Sequence, residues 1–343
     1  MLNLWKDFKL GINLLRREGF RKFFNRGFRY LLGARLKEDF IFKKNFAKKS
    51  WMIESKKIPK LKNFPTISII IPVFNHEKFV EQAISSVQNQ NYPQEKIEII
   101  VVDDGSSDNS FAVAKKILQK NTTKFQIYKQ KNSGAHAAIN FGLNKSTSEF
   151  LGVLNSDDFF HPDRIKFLVS ALKNSKSEFA FSGVEFVDEK GKITNNKNLA
   201  ANFEKKQNYV CKFPTAGFAI LDGNIAISTG NFIFTKNLFQ KIGDFKNLKC
   251  CHDWDFILRS LEFCEPIFVL QKLYFYRFHS HNSFLGLQNI LAIEHKKLLS
   301  DFFKIKNSQN PNFPNAKNFP NYFPKFIKNS GYKKYNPILN KNF

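Results

Sequence analysis

Phe150-Leu151-Gly152-Val153-Leu154-Asn155-Ser156-Asp157-Asp158 decides how the rest of the chain is read. An apolar run ends here in two adjacent carboxylates, and Phe159-Phe160-His161-Pro162 leads from them into a helix-like segment over 163–173. Open α/β sheets gather their ligands at the C-terminal ends of the strands, which is where this order puts the aspartates. Neighbouring aspartates on a short loop repel each other unless a cation, or donors from a ligand, neutralise them. For an isolated Ser-Asp-Asp the plainer reading is a solvated turn capping the next helix. That reading loses because a second pair, Asp103-Asp104, closes another strand in the same way.

Working outward, strands and helices alternate from Pro65 onward. Thr66-Ile67-Ser68-Ile69-Ile70-Ile71 predicts a short buried parallel strand that Pro72 stops. Residues 77–90 predict a helix with Phe79, Val80, Ala83, Ile84 and Val87 on its buried side. Strands follow over 97–102, 125–130 and 150–154, with helices over 109–120 and 135–143 between them. Repeated βα units imply an α/β fold with a doubly wound, mostly parallel sheet and right-handed crossovers.

The loops after these strands hold the chemistry. Pro72-Val73-Phe74-Asn75-His76-Glu77 follows the first strand and Asp103-Asp104-Gly105-Ser106-Ser107-Asp108 the second. A carboxylate at a strand end accepts hydrogen bonds from a base N–H or from ribose hydroxyls, and Gly105 lets the chain turn closely around a ligand. Ser107 or Asp108 capping the next helix is the structural alternative for half of that motif. Asn132-Ser133-Gly134 opens a helix of small residues that includes Asn140, where backbone can approach a ligand.

In the second half, Ser228-Thr229-Gly230-Asn231-Phe232-Ile233-Phe234 predicts a strand, residues 236–242 a helix and Gly243-Asp244-Phe245 its exit. His252-Asp253-Trp254-Asp255 then opens a further helix, and Tyr276-Arg277-Phe278-His279 follows a strand.

Taken in order, Pro72-Val73-Phe74-Asn75, Val101-Val102-Asp103-Asp104-Gly105-Ser106, Asn132-Ser133-Gly134 with Asn140, and Leu154-Asn155-Ser156-Asp157-Asp158 resemble the signature of family-2 glycosyltransferases. The resemblance runs from about residue 66 to residue 283 and implies the glycosyltransferase-A fold, a nucleotide-diphospho-sugar-binding α/β sandwich. It implies a donor site built from Pro72, Phe74, Asn75, Glu77, Asp103, Asp104, Ser106, Asn132, Gly134, Asn140, Ser156 and Arg277. It also implies a divalent cation, Mn2+ or Mg2+, held by Asp157 with Asn155 and His279. His252-Asp253-Trp254-Asp255 resembles the family's Glu-Asp-Trp-Asp segment, which makes Asp253 the catalytic base, with a helix N-cap as the alternative. Three residues depart from the family pattern. Asn155 stands where Asp is frequent, offering an oxygen without charge; Phe74 replaces a common Tyr; His252 replaces Glu.

Composition bounds what surrounds this core. The chain has 343 residues and a net charge of +25. Residues 1–64 hold 18 Lys and Arg against 5 Asp and Glu, and residues 305–343 hold 7 against none. The basic excess therefore lies in the ends, which argues against nucleic acid as the partner of the middle. Six of the nine arginines fall in 16–35, opposite a stripe of Phe20, Phe23, Phe24, Phe28, Leu31 and Leu32. This spacing predicts a basic amphipathic helix that suits residues 1–60 to an anionic membrane surface, or one packed on the rest of the chain. No apolar run is long enough to span a bilayer or to act as a secretory signal, so the expected location is cytoplasmic, peripheral on the membrane's inner face. The four cysteines show no zinc spacing and are read as reduced thiols.

Three regions follow: a basic extension over 1–64, a catalytic domain over 65–304 divided near 175 into nucleotide and acceptor halves, and an Asn/Lys/Pro-rich tail over 305–343, loosely ordered or wrapped on the surface with aromatic anchors. The function implied by the resemblance is inverting transfer of a sugar from a nucleotide diphosphate to an acceptor hydroxyl, on a glycan or lipid-linked acceptor of the cell envelope. The alternatives are a catalytically weak nucleotide-sugar-binding module and a nucleotidyltransferase. The latter normally shows a Gly-rich basic loop after the first strand, which 73–77 is not.

Overall fold

The computed structural model describes residues 49–120, 122–194, 209–280 and 287–332. The basic amphipathic segment lies outside the described residues, as do most of the acceptor-half loop over 195–208 and the last residues of the tail.

Among the described residues, nine strands form one sheet: β1 (Met52–Ile53), β2 (Ile67–Val73), β3 (Ile97–Asp103), β4 (Lys124–Lys129), β5 (Phe150–Val153), β6 (Phe159–Phe160), β7 (Phe179–Val187), β8 (Ile233–Thr235) and β9 (Ile267–Arg277). Their order is β1-β9-β7-β8-β5-β2-β3-β4, with β6 paired to β9. β8 runs antiparallel to both neighbours and β6 to β9; the other pairs are parallel. The helices are α1 (Val80–Gln88), α2 (Ser110–Leu118), α3 (Ala135–Lys145), α4 (Arg164–Lys173), α5 (Ala216–Asp222), α6 (Lys236–Ile242), α7 (His252–Ser260), α8 (Gln288–Phe302) and α9 (Phe323–Ser330).

The period-two geometry of β2 shows why the sheet is covered on both faces. Ile67, Ile69 and Ile71 enter one core with α1, α2 and α4, while Ile70 enters the other with α3, α5 and α7. A strand buried on both sides reads as an unbroken apolar run, as this one does. β2, β3 and β4 step outward one by one, and α3 then carries the chain back to β5 on the far side of β2. The reversal leaves a crevice between the C-terminal ends of β2 and β5, the switch point at which doubly wound sheets bind ligands.

Three sequence expectations are corrected. Pro72 does not stop β2; it pairs in register with Val102. Ile70 O accepts from Leu154 N and Val73 O from Asp104 N, so the alternation turns Pro72 toward β5, whose pairing has already ended at Val153. Its missing N–H costs nothing there. The first half of 228–234 is not strand but a 3-10 turn over Thr229–Asn231, whose Gly230 N–H is capped by the Ser228 side chain. The segment read as extension reaches into the fold: Trp51 is buried, and β1 adds to β9. Of the two readings of the tail, the described part follows the wrapped one with aromatic anchors: Phe313, Phe323, Phe326, Ile327 and Tyr332 join the core around α5 and α8.

Candidate active site

The loops after β2 and β3 are fastened to each other by side chains that cap backbone N–H groups. Asn75 sits at φ 55, a left-handed conformation that Asn tolerates better than most residues. Its N–H donates to Ser106 Oγ at 3.0 Å, and its Oδ1 accepts from Ser107 N at 2.9 Å. His76 N donates to Ser110 Oγ at 2.8 Å, and Glu77 accepts from Asn109 N at 3.0 Å. Asn75, Glu77 and Ser106 thus tie the two loops into one rim through their own hydrogen bonds. Phe74 between them is 44% exposed, a bare aromatic face on that rim.

Asp103 and Asp104 differ sharply. Asp104 is buried and accepts from Gln130 Nε2 at 2.7 Å, Ser133 N at 2.9 Å and Gly134 N at 2.8 Å, so it locks the loop before α3. Asp103 uses Oδ1 for Gly105 N and Ser106 N, while its buried Oδ2 has no hydrogen-bond partner. A buried carboxylate oxygen without a donor is costly unless a ligand supplies one. Gly105, at φ +81, is required where a Cβ would stand 2.8 Å from Asn132 N. Asn132 itself is exposed on the loop, and Gly134 gives its N–H to Asp104. Asn140 lies away from this rim: its amide exchanges two 2.8 Å bonds with the backbone of Phe245, clamping α3 to the turn after α6.

At the switch point, Asp157, His76 and His279 bring one carboxylate oxygen and two imidazole nitrogens within 4.8 Å of one another. His279 Nε2 lies 3.0 Å from Asp157 Oδ2, and His76 Nε2 lies 4.0 Å from the same oxygen. Ser156 Oγ, 2.8 Å from His76 Nδ1, fixes the other ring nitrogen toward Asp157. Burial alone would raise the Asp157 carboxyl, but the hydrogen bond from His279 and the charges of both imidazoles hold it below its usual range. Asp158 behaves oppositely. Burial and the charge of Asp157 raise it well above the usual range, although Tyr274 Oη and Arg277 N both donate to it. Asp157 is the less buried, ligand-like member of the pair and Asp158 the internal strut.

Two residues expected at the diphosphate or metal are turned to other tasks. Asn155 points its amide NH2 to Ser228 Oγ at 2.8 Å and Asp158 Oδ2 at 3.3 Å. Arg277 is 1% exposed and donates to the carbonyls of Asp157 and Glu189 and to Gln82. It joins the Asp157 loop to the turn after β7, acting as a brace. His76 is the residue that sequence reasoning missed. Its position directly after β2, facing the loop that follows β5 across the switch point, was the available signal.

The half expected to take the acceptor is entered at the start of α7. Asp253, 9% exposed, accepts from Trp254 N and Asn224 Nδ2, each at 2.7 Å. Cys251, not Asp253, occupies the N-cap position. Glu294 of α8 satisfies the backbone before the helix, accepting from Lys249, Cys250 and Cys251 N at 2.6, 2.9 and 3.1 Å. Burial pushes the Asp253 carboxyl up to about 7, with the charge of Glu294 adding to it and the bonds from Trp254 and Asn224 opposing. Such a group is poised to take a proton near neutrality. Asp255, by contrast, is paired with Arg259 at 2.7 Å and Lys246 at 2.9 Å. Tyr276, partly buried at the end of β9, feels the charges of Asp158, Asp157 and Asp253 together, so Asp253 and the carboxylate loop share one region.

Residues 68–243 match the family model described as glycosyl transferase family 2. An uncharacterized glycosyltransferase of Rickettsia typhi is 30% identical over 243 residues, 70% of this chain and 72% of the relative. Among solved structures, TarS 1-349 of S. aureus in complex with UDP-GlcNAc aligns with a TM-score of 0.56 at 16% identity, covering 79% of this chain and 73% of that one. The mannosyltransferase PcManGT from Pyrobaculum calidifontis, in complex with GDP-Man and Mn2+, gives 0.58 at 15% identity over 94% of this chain and 84% of its own. The fold is that of the glycosyltransferase-A class. The chain belongs to glycosyltransferase family 2.

Proposed function

We propose that this chain is an inverting glycosyltransferase that moves a sugar, a hexose by family analogy, from a nucleotide diphosphate to an acceptor hydroxyl. The observation that carries the reading is a buried carboxyl near neutrality, Asp253, beside the same Tyr276 that feels the switch-point aspartates. On the donor side, the exposed ring of Phe74 suits stacking on the base, and the unpartnered Oδ2 of Asp103 suits a base N–H or ribose hydroxyl. Structural neighbours in complex with UDP-GlcNAc and with GDP-Man support a nucleotide-sugar donor without choosing between them.

The donor set of His76, Asp157 and His279 fits a divalent cation such as Mn2+, since it combines a charged oxygen with two imidazoles. A cation held there would supply positive charge to offset the negative charge growing on a departing diphosphate. The remaining steps belong to the protein. Asp253 accepts the proton of the acceptor hydroxyl as its oxygen attacks the anomeric carbon; the bond to the diphosphate breaks on the opposite face, and the configuration inverts. Asn224 and Trp254 keep the carboxylate oriented. The acceptor is a glycan or lipid-linked glycan of the cell envelope by family analogy, reached at an anionic membrane through the basic segment over 1–48.

Turnover of a panel of UDP- and GDP-linked sugars, with and without Mn2+, tests the reading. Asp253→Asn should lose about 100-fold or more in turnover while keeping its melting temperature. Unchanged turnover removes the base assignment, and a panel with no turnover or hydrolysis favours the inactive binding module. Deleting residues 1–48, which keeps Trp51 and β1, should reduce co-sedimentation with anionic vesicles; equal binding removes the membrane part.

A further inference from the structure

The chain between α5 and the 3-10 turn, Gly223-Asn224-Ile225-Ala226-Ile227-Ser228, holds one of two non-glycine residues with positive φ among the described residues. Ile227 sits at φ 75, and Ser228 N donates to Ala226 O at 2.9 Å. A two-residue closure around a centre at that φ is the γ-turn, strained for any L-residue and more so for a β-branched one. Strain of this kind persists only where surrounding bonds over-determine it. Here they do. Asn231 Nδ2 donates to Ala226 O at 3.0 Å, Ser228 Oγ accepts from Asn155 Nδ2 at 2.8 Å, and Asn224 Oδ1 accepts from Ile227 N at 3.1 Å.

Asn224, 2% exposed, spends the other end of its amide on Asp253 Oδ2 at 2.7 Å. The two partners dictate the amide's orientation. Flipped, it would set its oxygen against a carboxylate and its NH2 against the Ile227 N–H, two repulsive contacts in place of two bonds. The hydrogen bonds then continue from Ser228 through Asn155 to Asp158, whose neighbour Asp157 belongs to the metal-type cluster. One linked path thus runs from the carboxylate at α7 to the switch-point loop, with the strained turn at its middle.

The geometry points to Asn224 as the positioning residue for the Asp253 carboxylate, held in place by the γ-turn at Ile227. This rests on the reading of Asp253 as the base. The donated bond does two things: it aims Oδ2, and it favours the ionised form. Losing it therefore raises the pH at which Asp253 ionises. Other groups face Asp253: Glu294 from α8, Tyr276 from β9, and Cys250, Cys251, His252 and Asp255 around the start of α7. Burial raises both cysteines and Tyr276, and it lowers His252 to about 4, so these four keep one charge state through neutrality.

The test is the pH profile of kcat/KM in the full chain, with Mn2+ and a working donor and acceptor, for wild type, Asn224→Ala and Asn224→Asp. Asn224→Ala should move the acid limb upward by about one pH unit and lower kcat about tenfold or more, leaving donor KM unchanged. Asn224→Asp keeps an oxygen for Ile227 N, and so the turn, but sets a carboxyl against Asp253; its acid limb should move up at least as far. If Asn224→Ala fails to fold, Asn224→Asp alone decides. Acid limbs that stay with the wild type while melting temperature falls overturn the proposal and leave Asn224 a purely structural residue. Asp253→Asn separates the two failures. If it is active, the base reading itself falls; if it is inactive while the Asn224 limbs do not move, only the positioning role falls.

Discussion

At Asp157, burial and charge pull in opposite directions, and charge wins. Desolvation penalises the carboxylate, yet His279 and His76 keep it ionised, the state in which an oxygen ligates a cation. One residue on, the same burial without imidazoles leaves Asp158 raised and committed to Tyr274 and Arg277 N. The sequence pair Asp-Asp therefore splits into a candidate ligand and a strut, and the division is made by neighbours distant in the chain. His76→Ala should weaken Mn2+ binding, read by calorimetry in the absence of donor, by at least about tenfold. It should leave metal-free nucleotide binding nearly unchanged, because the rim made by Asp103 and Phe74 does not involve the imidazole. Wild-type Mn2+ affinity in His76→Ala would place the cation elsewhere.

Between elements, close approach matters more than propensity. The 3-10 turn over Thr229–Asn231 runs beside the loop after β5, and a Cβ on Gly230 would stand 2.0 Å from Tyr274 Oη and 3.0 Å from Asn155 N. Neither neighbour has room to yield, since Tyr274 is fully buried and the other atom is backbone. Gly230→Ala should therefore destabilise the protein by about 1–3 kcal/mol, the usual cost of overpacking. It should also impair turnover beyond what the melt explains, because Tyr274 and Asn155 both bear on Asp158. Urea denaturation beside steady-state kinetics reads both effects; an unchanged melt would mean that the turn shifts freely. The pattern Ser-Thr-Gly-Asn-Phe-Ile-Phe looks like strand throughout because its apolar half is one. The Ser228 cap that bends the first half is visible only once the tyrosine is in place.

For the molecule as a whole, buried acids set the pH response. Burial raises both Asp253 and Glu265 to about 7, above the ordinary carboxyl range, so the folded protein holds protons there that the unfolded chain has released. Their stabilising contribution is complete below about pH 4, and it declines as pH rises toward about 7, where the unfolded state binds fewer protons. Glu265→Gln removes one of the two without touching the site. Its unfolding free energy, measured by urea titration from acid to neutral pH, should decline less steeply than wild type, by roughly 2–3 kcal/mol across that window. Parallel curves would show that Glu265 ionises normally in the folded state.

The sequence by itself determined the class of fold. Apolar runs of β-branched residues, spaced by helix-length periodic segments, can be buried on both faces only in a parallel doubly wound sheet. It also located the loops of the candidate site, because ligands in such sheets collect at strand ends, and with the family resemblance it offered Asp103, Asp157 and Asp253 among the candidates. Tertiary structure decided what each polar residue does there. Asn140, Arg277 and Asn155 carry the right chemistry for a ligand, but Phe245, Glu189 and Ser228 claim their hydrogen bonds first. His76 becomes a candidate ligand only because α3 returns the chain to the far side of β2, setting the β5 loop beside it. A local sequence fixes which groups are offered, whereas satisfying every buried donor and acceptor is a property of the whole packed chain, and that constraint chooses which groups remain for substrate.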